Sequence, residues 1–343
     1  MGKITVGLDI GFSSIKAVAL EHGSDLPKLS ALGTITAPLP GMSSDGDQDL
    51  AAVASSIKKL MSASKIEQPE VVVALPESKV FTRVIDDLPF LNDSELPSAI
   101  KYASEEFIPL PMSEVNLNWQ VLARGKQKSD RTVVFVVASP KQVVQKYIRL
   151  LDMADLRPLA LETEIIASSR ALVGNNAFSP TTLIIQMGTA TTDFAIVSKG
   201  LILLTRSIAT GGSALTRALA QHFGFEVAQA EEYKKVYGLL SDQLEGKVYE
   251  AIKPLVDSIL EETRRVVEAY HSKNPTNQIK RVVISGGGAK MPGLVVYMAN
   301  NLNLEVQEAD PWYFITKDAS FKAKLIQEGP IYTVAVGLAL WEP

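Results

Sequence analysis

Cysteine is absent from the sequence, and histidine occurs only three times among 343 residues. Without cysteine the chain can form no disulfide bond and has no thiol nucleophile. His22, His222 and His271 lie far apart and lack the spacing of zinc ligands, so no zinc centre is expected. Any chemistry must therefore be carried by carboxylates, hydroxyls, lysines and backbone amides.

Long apolar runs and an excess of one charge are also missing. No apolar stretch approaches the roughly 18 residues of a membrane-spanning helix, and the N-terminus enters a strand pattern without a secretion signal. The formal net charge is -4, with Lys and Arg dispersed along the chain, which argues against a nucleic-acid partner. These features predict a cytoplasmic globular protein of roughly two domains.

The first cluster of polar residues lies in a predicted hairpin, GLDIGFSSIKAV, over residues 7–18. Gly11 allows a tight turn whose backbone N–H groups converge on one point. Ser13, Ser14 and Lys16 add hydroxyl donors and a positive charge, which suits a phosphate group. Asp9 fits there if a magnesium ion and its water shell lie between its carboxylate and the phosphate. An ordinary solvated hairpin tip is the alternative.

The same pattern returns in the second half as TLIIQMGTATTDFAIV over residues 182–197. Two such hairpins predict two similar domains that offer one turn each to a phosphate chain across a cleft. Further on, Gly211-Gly212-Ser213 opens a predicted helix whose start a ligand could approach, with a plain loop as the alternative. Residues 282–294, VVISGGGAKMPGL, form a predicted buried strand ending in three glycines. Because each glycine costs about 1 kcal/mol of backbone entropy, a flat ligand on this loop is the favoured explanation.

Residues 80–158, between the two hairpins, have a different pattern. They follow a predicted helix at about 50–64 and a buried strand at 71–75. Their order of strand, helix, strand, strand and helix predicts a compact β-α-β-β-α insertion. The expected segments are 80–85, 95–107, 115–123, 132–138 and 141–154.

Together these signals resemble the actin-like ATPase superfamily, whose two-domain, ribonuclease H-like α/β fold binds a nucleotide between its domains. Within it the sequence is similar to the PilM family of type IV pilus assembly, a relative of the division protein FtsA. The likeness extends to LALETE at 159–164, AEEYK at 230–234 and YTVAVGLAL at 332–340. It implies a first domain (1–79, 159–180 and the closing segment 326–343), an inserted FtsA-type subdomain (80–158), and a second domain (181–325) with a helical subdomain near 223–275.

The resemblance also implies a site for ATP or ADP with Mg²⁺, in which Asp9 would organise the metal. The β- and γ-phosphates would be held by Gly11, Ser13, Ser14 and Lys16 on one side and by Gly188, Thr189, Thr191 and Thr192 on the other. Gly211, Gly212 and Ser213 would meet the phosphate-ribose region, Glu231 and Lys234 the ribose or base, and Gly286, Gly287, Gly288 and Lys290 the adenine. Glu162 or Glu164 would orient an attacking water, with helix-surface carboxylates as the alternative.

One position departs from the family pattern. The second hairpin of the family usually begins with an aspartate, whereas this sequence has Gln186. A neutral amide can bind a magnesium-held water but cannot supply negative charge, so metal affinity and hydrolysis are expected to be weak. Asp193 lies later in the hairpin and could supply the missing charge, but strand alternation leaves its direction open.

By the resemblance, the partner is the N-terminal cytoplasmic peptide of a PilN-like membrane protein, alongside other pilus platform proteins. That partner would hold the protein at the inner face of the cytoplasmic membrane, because the chain stops where FtsA carries an amphipathic membrane-binding tail. Residues 108–112, apolar and bounded by prolines, are expected to border the peptide groove. The alternatives are an FtsA-like polymerising protein or a small-molecule kinase or phosphatase; self-association stays open.

Overall fold

The computed structural model describes residues 2–23, 26–125, 127, 130–174, 179–318, 321 and 328–342. The strands in these ranges are β1 (Lys3–Ile10), β2 (Ser14–His22), β3 (Lys28–Thr36), β4 (Glu70–Leu75), β5 (Phe81–Leu88), β6 (Val115–Ala123), β7 (Thr132–Pro140), β8 (Arg157–Thr163), β9 (Thr182–Met187), β10 (Thr192–Ser198), β11 (Leu201–Ile208), β12 (Arg281–Ser285) and β13 (Glu305–Glu308). The α-helices are α1 (Asp47–Ala63), α2 (Leu96–Ser104), α3 (Lys141–Met153), α4 (Glu164–Leu172), α5 (Gly212–Phe223), α6 (Val227–Tyr237), α7 (Lys247–Lys273), α8 (Leu294–Leu302) and α9 (Thr333–Ala339).

Two five-stranded sheets with the same layout form the two halves of the molecule. The first has the order β3-β2-β1-β4-β8 and the second the order β11-β10-β9-β12-β13. In each sheet, three strands joined by hairpins run antiparallel, and two further strands add parallel to the first of them. The repeated hairpin pattern thus corresponds to a repeated sheet, as the sequence predicted.

The insertion is smaller than its expected range of 80–158. A three-stranded sheet of order β5-β7-β6 packs against α2 around Ile85, Ile100, Val134 and Val136. Helix α3 instead packs Tyr147, Leu150 and Leu151 on α1 and the first sheet, and β8 is an edge strand of that sheet. The insertion therefore ends near Pro140, because an apolar helix face specifies burial but not which sheet will cover it.

The C-terminal helix completes the first half of the molecule. A Cβ atom on Gly7 of β1 would lie 2.1 Å from the carbonyl oxygen of Ala335 in α9. A Cβ atom on Gly337 would lie 1.8 Å from the carbonyl oxygen of Ala167 in α4. Only glycine permits such an approach, so α9 is wedged between β1 and α4. Residues 326, 327 and 343 of the expected closing segment lie outside the described residues.

The helices of the second half enclose its sheet. The long helix α7 buries Val248, Ile252 and Val256 in the core beneath β9 and β10. Helices α5 and α6 meet through stacked and edge-on aromatic rings, Phe223 against Phe225 and Phe225 against Tyr233. Among the described residues, no helix combines the length and the apolar character needed to span a membrane.

Candidate functional site

The two predicted hairpin turns meet in space. In the first, the Gly11 N–H donates to the Ser14 carbonyl oxygen (3.1 Å), and in the second the Gly188 N–H donates to that of Thr191 (2.9 Å). The hydroxyl oxygens of Ser13 and Thr189, 176 positions apart in the sequence, lie 2.8 Å from each other. A cavity of about 560 Å³ opens beside this contact, between the two halves. Lining residues from the predicted set are Asp9, Gly11, Ser13, Ser14, Lys16, Glu164, Gly188, Thr189, Thr191, Gly286 and Gly287.

A buried ion pair forms the floor of the first hairpin. Asp9 and Lys16 are cross-strand partners in β1 and β2, so their side chains share one face. The Lys16 Nζ lies 3.0 Å from the Asp9 Oδ2, and Asp9 is only 5% exposed. The same amine lies 3.4 Å from where a Cβ atom on Gly11 would be. A single positive charge therefore sits directly beneath the glycine turn, where an anion would approach.

The floor of the second hairpin carries an amide and a carboxylate. Gln186 and Asp193 are cross-strand partners, and both line the cavity. The Asp193 carboxylate accepts hydrogen bonds from the hydroxyls of Ser207 and, at 3.1 Å, of Thr191. The direction of Asp193, which the sequence left open, is therefore toward the cleft. Its negative charge lies one strand away from the position of Gln186.

Gln186 connects the second half to Glu164 at the start of α4. Its Nε2 donates to the Glu164 Oε2 at 3.4 Å, and its Oε1 accepts a hydrogen bond from the Ser168 hydroxyl. Both ends of the amide are therefore engaged with α4 across the interface between the halves. Glu164, one of the two predicted catalytic candidates, is thus held in the cleft by the residue that departs from the family pattern.

Three carboxyl groups around this floor have raised pKa values. Burial raises the pKa of Glu164 well above its usual range, and the neighbouring charges of Asp193 and Asp9 add to the effect. Burial raises the pKa of Asp193 to about 6. Burial, together with the charge of Asp193, raises the pKa of Glu77 to about 7. Such groups concentrate at functional sites.

Sequence reasoning missed Glu77. It lies two residues after the end of β4, is 5% exposed, and accepts a hydrogen bond from the Thr82 hydroxyl at 3.0 Å. Its other carboxylate oxygen, Oε2, is buried without a hydrogen-bond partner in the described structure. The available signal was its position, because an acid after a buried parallel strand lies at the carboxyl edge of the sheet, where ligand sites form.

Glu162 does not lie in the cavity. It belongs to β8 rather than to a helix, and the Arg170 guanidinium binds its two carboxylate oxygens, both at 2.7 Å. Arg170 also donates to the Gly337 carbonyl oxygen (2.6 Å), which ties β8 and α4 to α9. A paired structural carboxylate cannot orient water in the cleft, so the expectation for Glu162 is corrected.

The start of α5 supports the second turn. The Gly212 N–H donates to the Gly188 carbonyl oxygen and the Ser213 N–H to that of Thr189, both at 2.9 Å. A Cβ atom on Gly211 would lie 2.7 Å from the same two carbonyl oxygens. These N–H groups are therefore engaged by the hairpin, and the expected phosphate-ribose contacts of the three residues stay a prediction.

Two further predicted polar contacts are also taken up within the protein. The Lys234 ammonium donates to Gly212 O, Thr216 Oγ1 and Glu231 Oε2, at 3.0, 2.9 and 2.7 Å. All three of its protons are thus engaged. The Thr192 hydroxyl is buried and donates to the Thr210 carbonyl oxygen (2.6 Å). Lys234 joins α6 to α5, and Thr192 joins the second hairpin to the segment before α5, so a ligand contact would have to displace a protein partner.

The glycine run has a packing role that the sequence did not reveal. A Cβ atom on Gly286, whose φ is +80°, would lie 2.5 Å from the Met187 carbonyl oxygen, and one on Gly288 2.5 Å from the Met187 Cβ. Nothing lies within 4 Å of a Cβ atom on Gly287. Two of the three glycines therefore allow the loop to approach the end of β9, and Gly287 leaves open space for a ligand. Lys290 is exposed beyond the cavity.

The residues fit a magnesium ion only with help from a ligand. Within the described ranges, no group of three or more acidic or histidine side chains is arranged to hold a metal. Asp9 by itself supplies one carboxylate. This is typical of Mg²⁺, which keeps several waters and is completed by substrate phosphates.

Two repeated sheets facing a shared cleft, each with a glycine-hydroxyl turn at its edge, define an actin-like ATPase fold. Residues 7–342 match the family described as type IV pilus assembly protein PilM. The chain belongs to this family.

Known proteins share this fold. A solved PilM-PilN type IV pilus biogenesis complex contains a chain that is 28% identical, with a TM-score of 0.85 over 99% of both chains. FtsA of Bacillus subtilis is 20% identical over 93% of this chain and 81% of its own length. MreB5 of Spiroplasma citri bound to AMPPNP is 15% identical, with a TM-score of 0.56 over 100% of this chain and 96% of its own.

Proposed function

We propose that this pilus assembly protein binds ATP in the cleft and recruits the N-terminal peptide of a PilN-like membrane protein. The observation that carries the nucleotide part is the contact between Ser13 and Thr189 above the buried Asp9–Lys16 pair. Two turns that present hydroxyls and backbone amides to the same point, over one lysine, form an anion site of the kind that a triphosphate fills. The partner would hold the protein at the inner face of the cytoplasmic membrane.

Each residue of the cleft has a distinct task in this proposal. Gly11 and Gly188 permit tight turns that bring the backbone N–H groups after them to the phosphate chain, and the hydroxyls of Ser13, Ser14 and Thr189 donate to it. Mg²⁺, when bound, supplies positive charge between the phosphates and Asp9. Calorimetry of the purified protein with ATP, with and without Mg²⁺, tests the proposal; no heat of binding in either condition would contradict it.

Hydrolysis is expected to be slow. Glu164 is the carboxyl in the cleft best placed to orient a water, but burial and the neighbouring carboxylates raise its pKa and so favour its protonated form. A protonated carboxyl cannot accept the proton of an attacking water. We therefore infer that ATP acts mainly as a bound ligand that joins the two halves.

Changing Gln186 to aspartate tests the departure from the family pattern. Gln186→Asp is expected to raise the apparent Mg²⁺ affinity of the ATP complex roughly tenfold, because a charged group would orient the waters of the metal. Without Mg²⁺ the variant should unfold at a lower temperature, since a new carboxylate lies beside Glu164 and Asp193. Magnesium titrations and thermal unfolding measure both effects. Gln186→Asn, equally short but neutral, is the matched control; an equal Mg²⁺ affinity in the two variants would refute this role of charge.

The expected peptide groove near residues 108–112 stays a prediction, and the burial of Ile108 limits what it can offer to a partner. Ile108 is buried and packs with Val115 and Ala138 in a small core of the insertion. A second candidate, which we favour, is a cavity of about 340 Å³ between the insertion, α4 and the turn before β11. Its lining includes Trp119, Phe135, Val137, Ile166, Arg170 and Ile202.

This second cavity suits an extended apolar peptide. β6 lies at the edge of the inserted sheet and, in the described part of the chain, pairs with β7 alone, so its outer backbone groups can accept a further strand. Trp119 of β6 is 39% exposed beside the cavity. Helix α4 borders both cavities, through Glu164 at its start and Arg170 near its end. Nucleotide and peptide would therefore contact the same helix.

Trp119→Ala is expected to weaken binding of a synthetic PilN-type N-terminal peptide roughly tenfold or more, since a large aromatic side chain at a groove centre carries much of the binding energy. Calorimetric titration measures the affinity. Tyr102→Ala removes a more exposed aromatic ring from α2 of the same insertion and should leave it unchanged. Similar affinities for the two variants would place the peptide elsewhere.

A further inference from the structure

Tyr147 is a polar residue in the cleft that neither the hairpin patterns nor the family resemblance singled out. It lies in the middle of α3 and is only 3% exposed. It packs beside Leu150 and Leu151 in the core between α1, α3 and the first sheet. An ordinary core position in such surroundings would hold leucine or phenylalanine, because a buried hydroxyl needs a hydrogen-bond partner.

The phenol of Tyr147 belongs to the wall of the large cavity. Tyr147 lines that cavity together with Asp9, Lys16 and Glu164. Its ring packs in the core while the residue lines the cavity, so the hydroxyl end of the ring is the end near the cleft, where Glu164 and Asp9 act on it. No described residue makes a hydrogen bond to it, and it is not one of the fully enclosed polar atoms without a partner. The hydroxyl therefore has hydrogen-bonding capacity that faces the cavity.

The chemistry of this hydroxyl is that of a fixed donor. Burial and the two carboxylates raise the pKa of Tyr147, so the phenol stays protonated. The ring is held by the core around α1 and α3, which leaves the hydroxyl little freedom to move. A neutral O–H donor held rigidly in a partly desolvated cleft can bind an anionic oxygen without the free-energy cost of reorienting the donor.

The position of Tyr147 distinguishes it from the hairpin donors. It comes from the first half, on the side of the cavity formed by α3, the 3-10 turn Glu77–Lys79 and the turn Gly41–Ser43. The glycine loop at Gly286 and Gly287 lies on the opposite, second half. Tyr147 is near Asp9 and Glu164, which hold the metal and water positions of the proposed site, so the terminal phosphate is the part of the nucleotide that it would meet.

We propose that the Tyr147 hydroxyl donates a hydrogen bond to the terminal phosphate of the bound triphosphate and so makes the cleft prefer ATP over ADP. This inference rests on the proposed nucleotide site. It adds a specificity-determining residue on a helix that contributes neither phosphate turn.

The test is the change of Tyr147 to phenylalanine, which removes the hydroxyl and keeps the ring that fills the core. We expect Tyr147→Phe to bind a non-hydrolysable ATP analogue about tenfold more weakly, the size of a hydrogen bond to a charged group, and to bind ADP with unchanged affinity. Calorimetry with both nucleotides gives the two affinities. Thermal unfolding without ligand should be unchanged, since the hydroxyl has no protein partner to lose.

Tyr270→Phe is the matched control. Tyr270 is equally buried, but its hydroxyl binds Asn277 (2.8 Å) far from the cleft, so this variant should lose stability and keep both nucleotide affinities. Unchanged analogue binding by Tyr147→Phe, or an equal loss of analogue and ADP binding, would overturn the inference. Failure of the unaltered protein to bind any nucleotide would overturn the proposed function instead, so the two failures are distinct.

Discussion

Replacing Lys16 by alanine is expected to weaken ATP binding roughly tenfold to a hundredfold. Lys16 is the cation beneath the first glycine turn, and a charge-assisted hydrogen bond to phosphate contributes about 1.5–3 kcal/mol. The variant also leaves Asp9 buried without its partner at 3.0 Å, so the cleft becomes more repulsive to phosphate. Calorimetry with ATP measures the loss directly.

The control for Lys16→Ala is Lys58→Ala. Lys58 lies on α1 and forms an exposed ion pair with Asp155, outside the cleft. Exposed pairs contribute little to stability, so this variant should bind ATP like the unaltered protein. Lys16→Arg keeps the positive charge but has a larger head group. Comparing it with Lys16→Ala distinguishes the effect of charge from the effect of side-chain shape. If Lys16→Ala binds ATP as tightly as the unaltered protein, the cleft is not the phosphate site.

Changing Glu77 to glutamine is expected to flatten the pH dependence of stability. The pKa of Glu77 rises from 4.5 in the unfolded chain to about 7 in the folded protein, so between these values the folded state binds the extra proton. The contribution of Glu77 to the free energy of unfolding is therefore fully present below about pH 4.5 and is lost as the pH rises to about 7. The loss is up to about 3 kcal/mol for a shift of this size. The cause is the charge that Glu77 acquires, buried and close to Asp193.

Urea unfolding at a series of pH values measures this decline. Asp193, with its pKa of about 6, contributes a decline of the same sign at lower pH. Glu164, whose pKa is also raised, adds a decline of the same sign in every variant, so the difference between the Glu77→Gln variant and the unaltered protein isolates Glu77. Glu77→Gln should therefore decline less steeply than the unaltered protein between pH 6 and 7, whereas Glu67→Gln, an exposed residue ahead of β4, should decline as steeply. A Glu77→Gln variant with the same slope as the unaltered protein would refute a neutral Glu77.

Local patterns predicted individual elements better than their assembly. The observed bounds of β6 are those expected from the sequence, and α1 and α3 lie within a few residues of their predicted ranges. Strand alternation and helical periodicity are local properties, readable from neighbouring residues. The assignment of α3 to the insertion was wrong because its apolar face would suit either of two sheets, and the choice between them depends on residues far along the chain.

The residues of the site show the same difference between what local patterns predicted and what packing decided. Glycine, serine, threonine and lysine at the two hairpins pointed to a phosphate site because turn chemistry is carried by adjacent residues. Glu162 and Glu164 were indistinguishable in the sequence, yet one pairs with Arg170 and the other with Gln186. Those partners come from different elements, so only the packed structure separates a structural carboxylate from one in the cleft.

By itself the sequence determined the strand-turn-strand repeats, the family and the kind of ligand that the turns suit, because each depends on residues close together in the chain. The tertiary structure decided which of these residues face the cavity. Asp193 lies toward the cleft, and Ser13 contacts Thr189 although 176 positions separate them in the sequence. Gly286 and Gly288 pack against Met187. The tertiary structure also revealed Glu77 and Tyr147, since the burial that raises their pKa values comes from segments distant in the sequence.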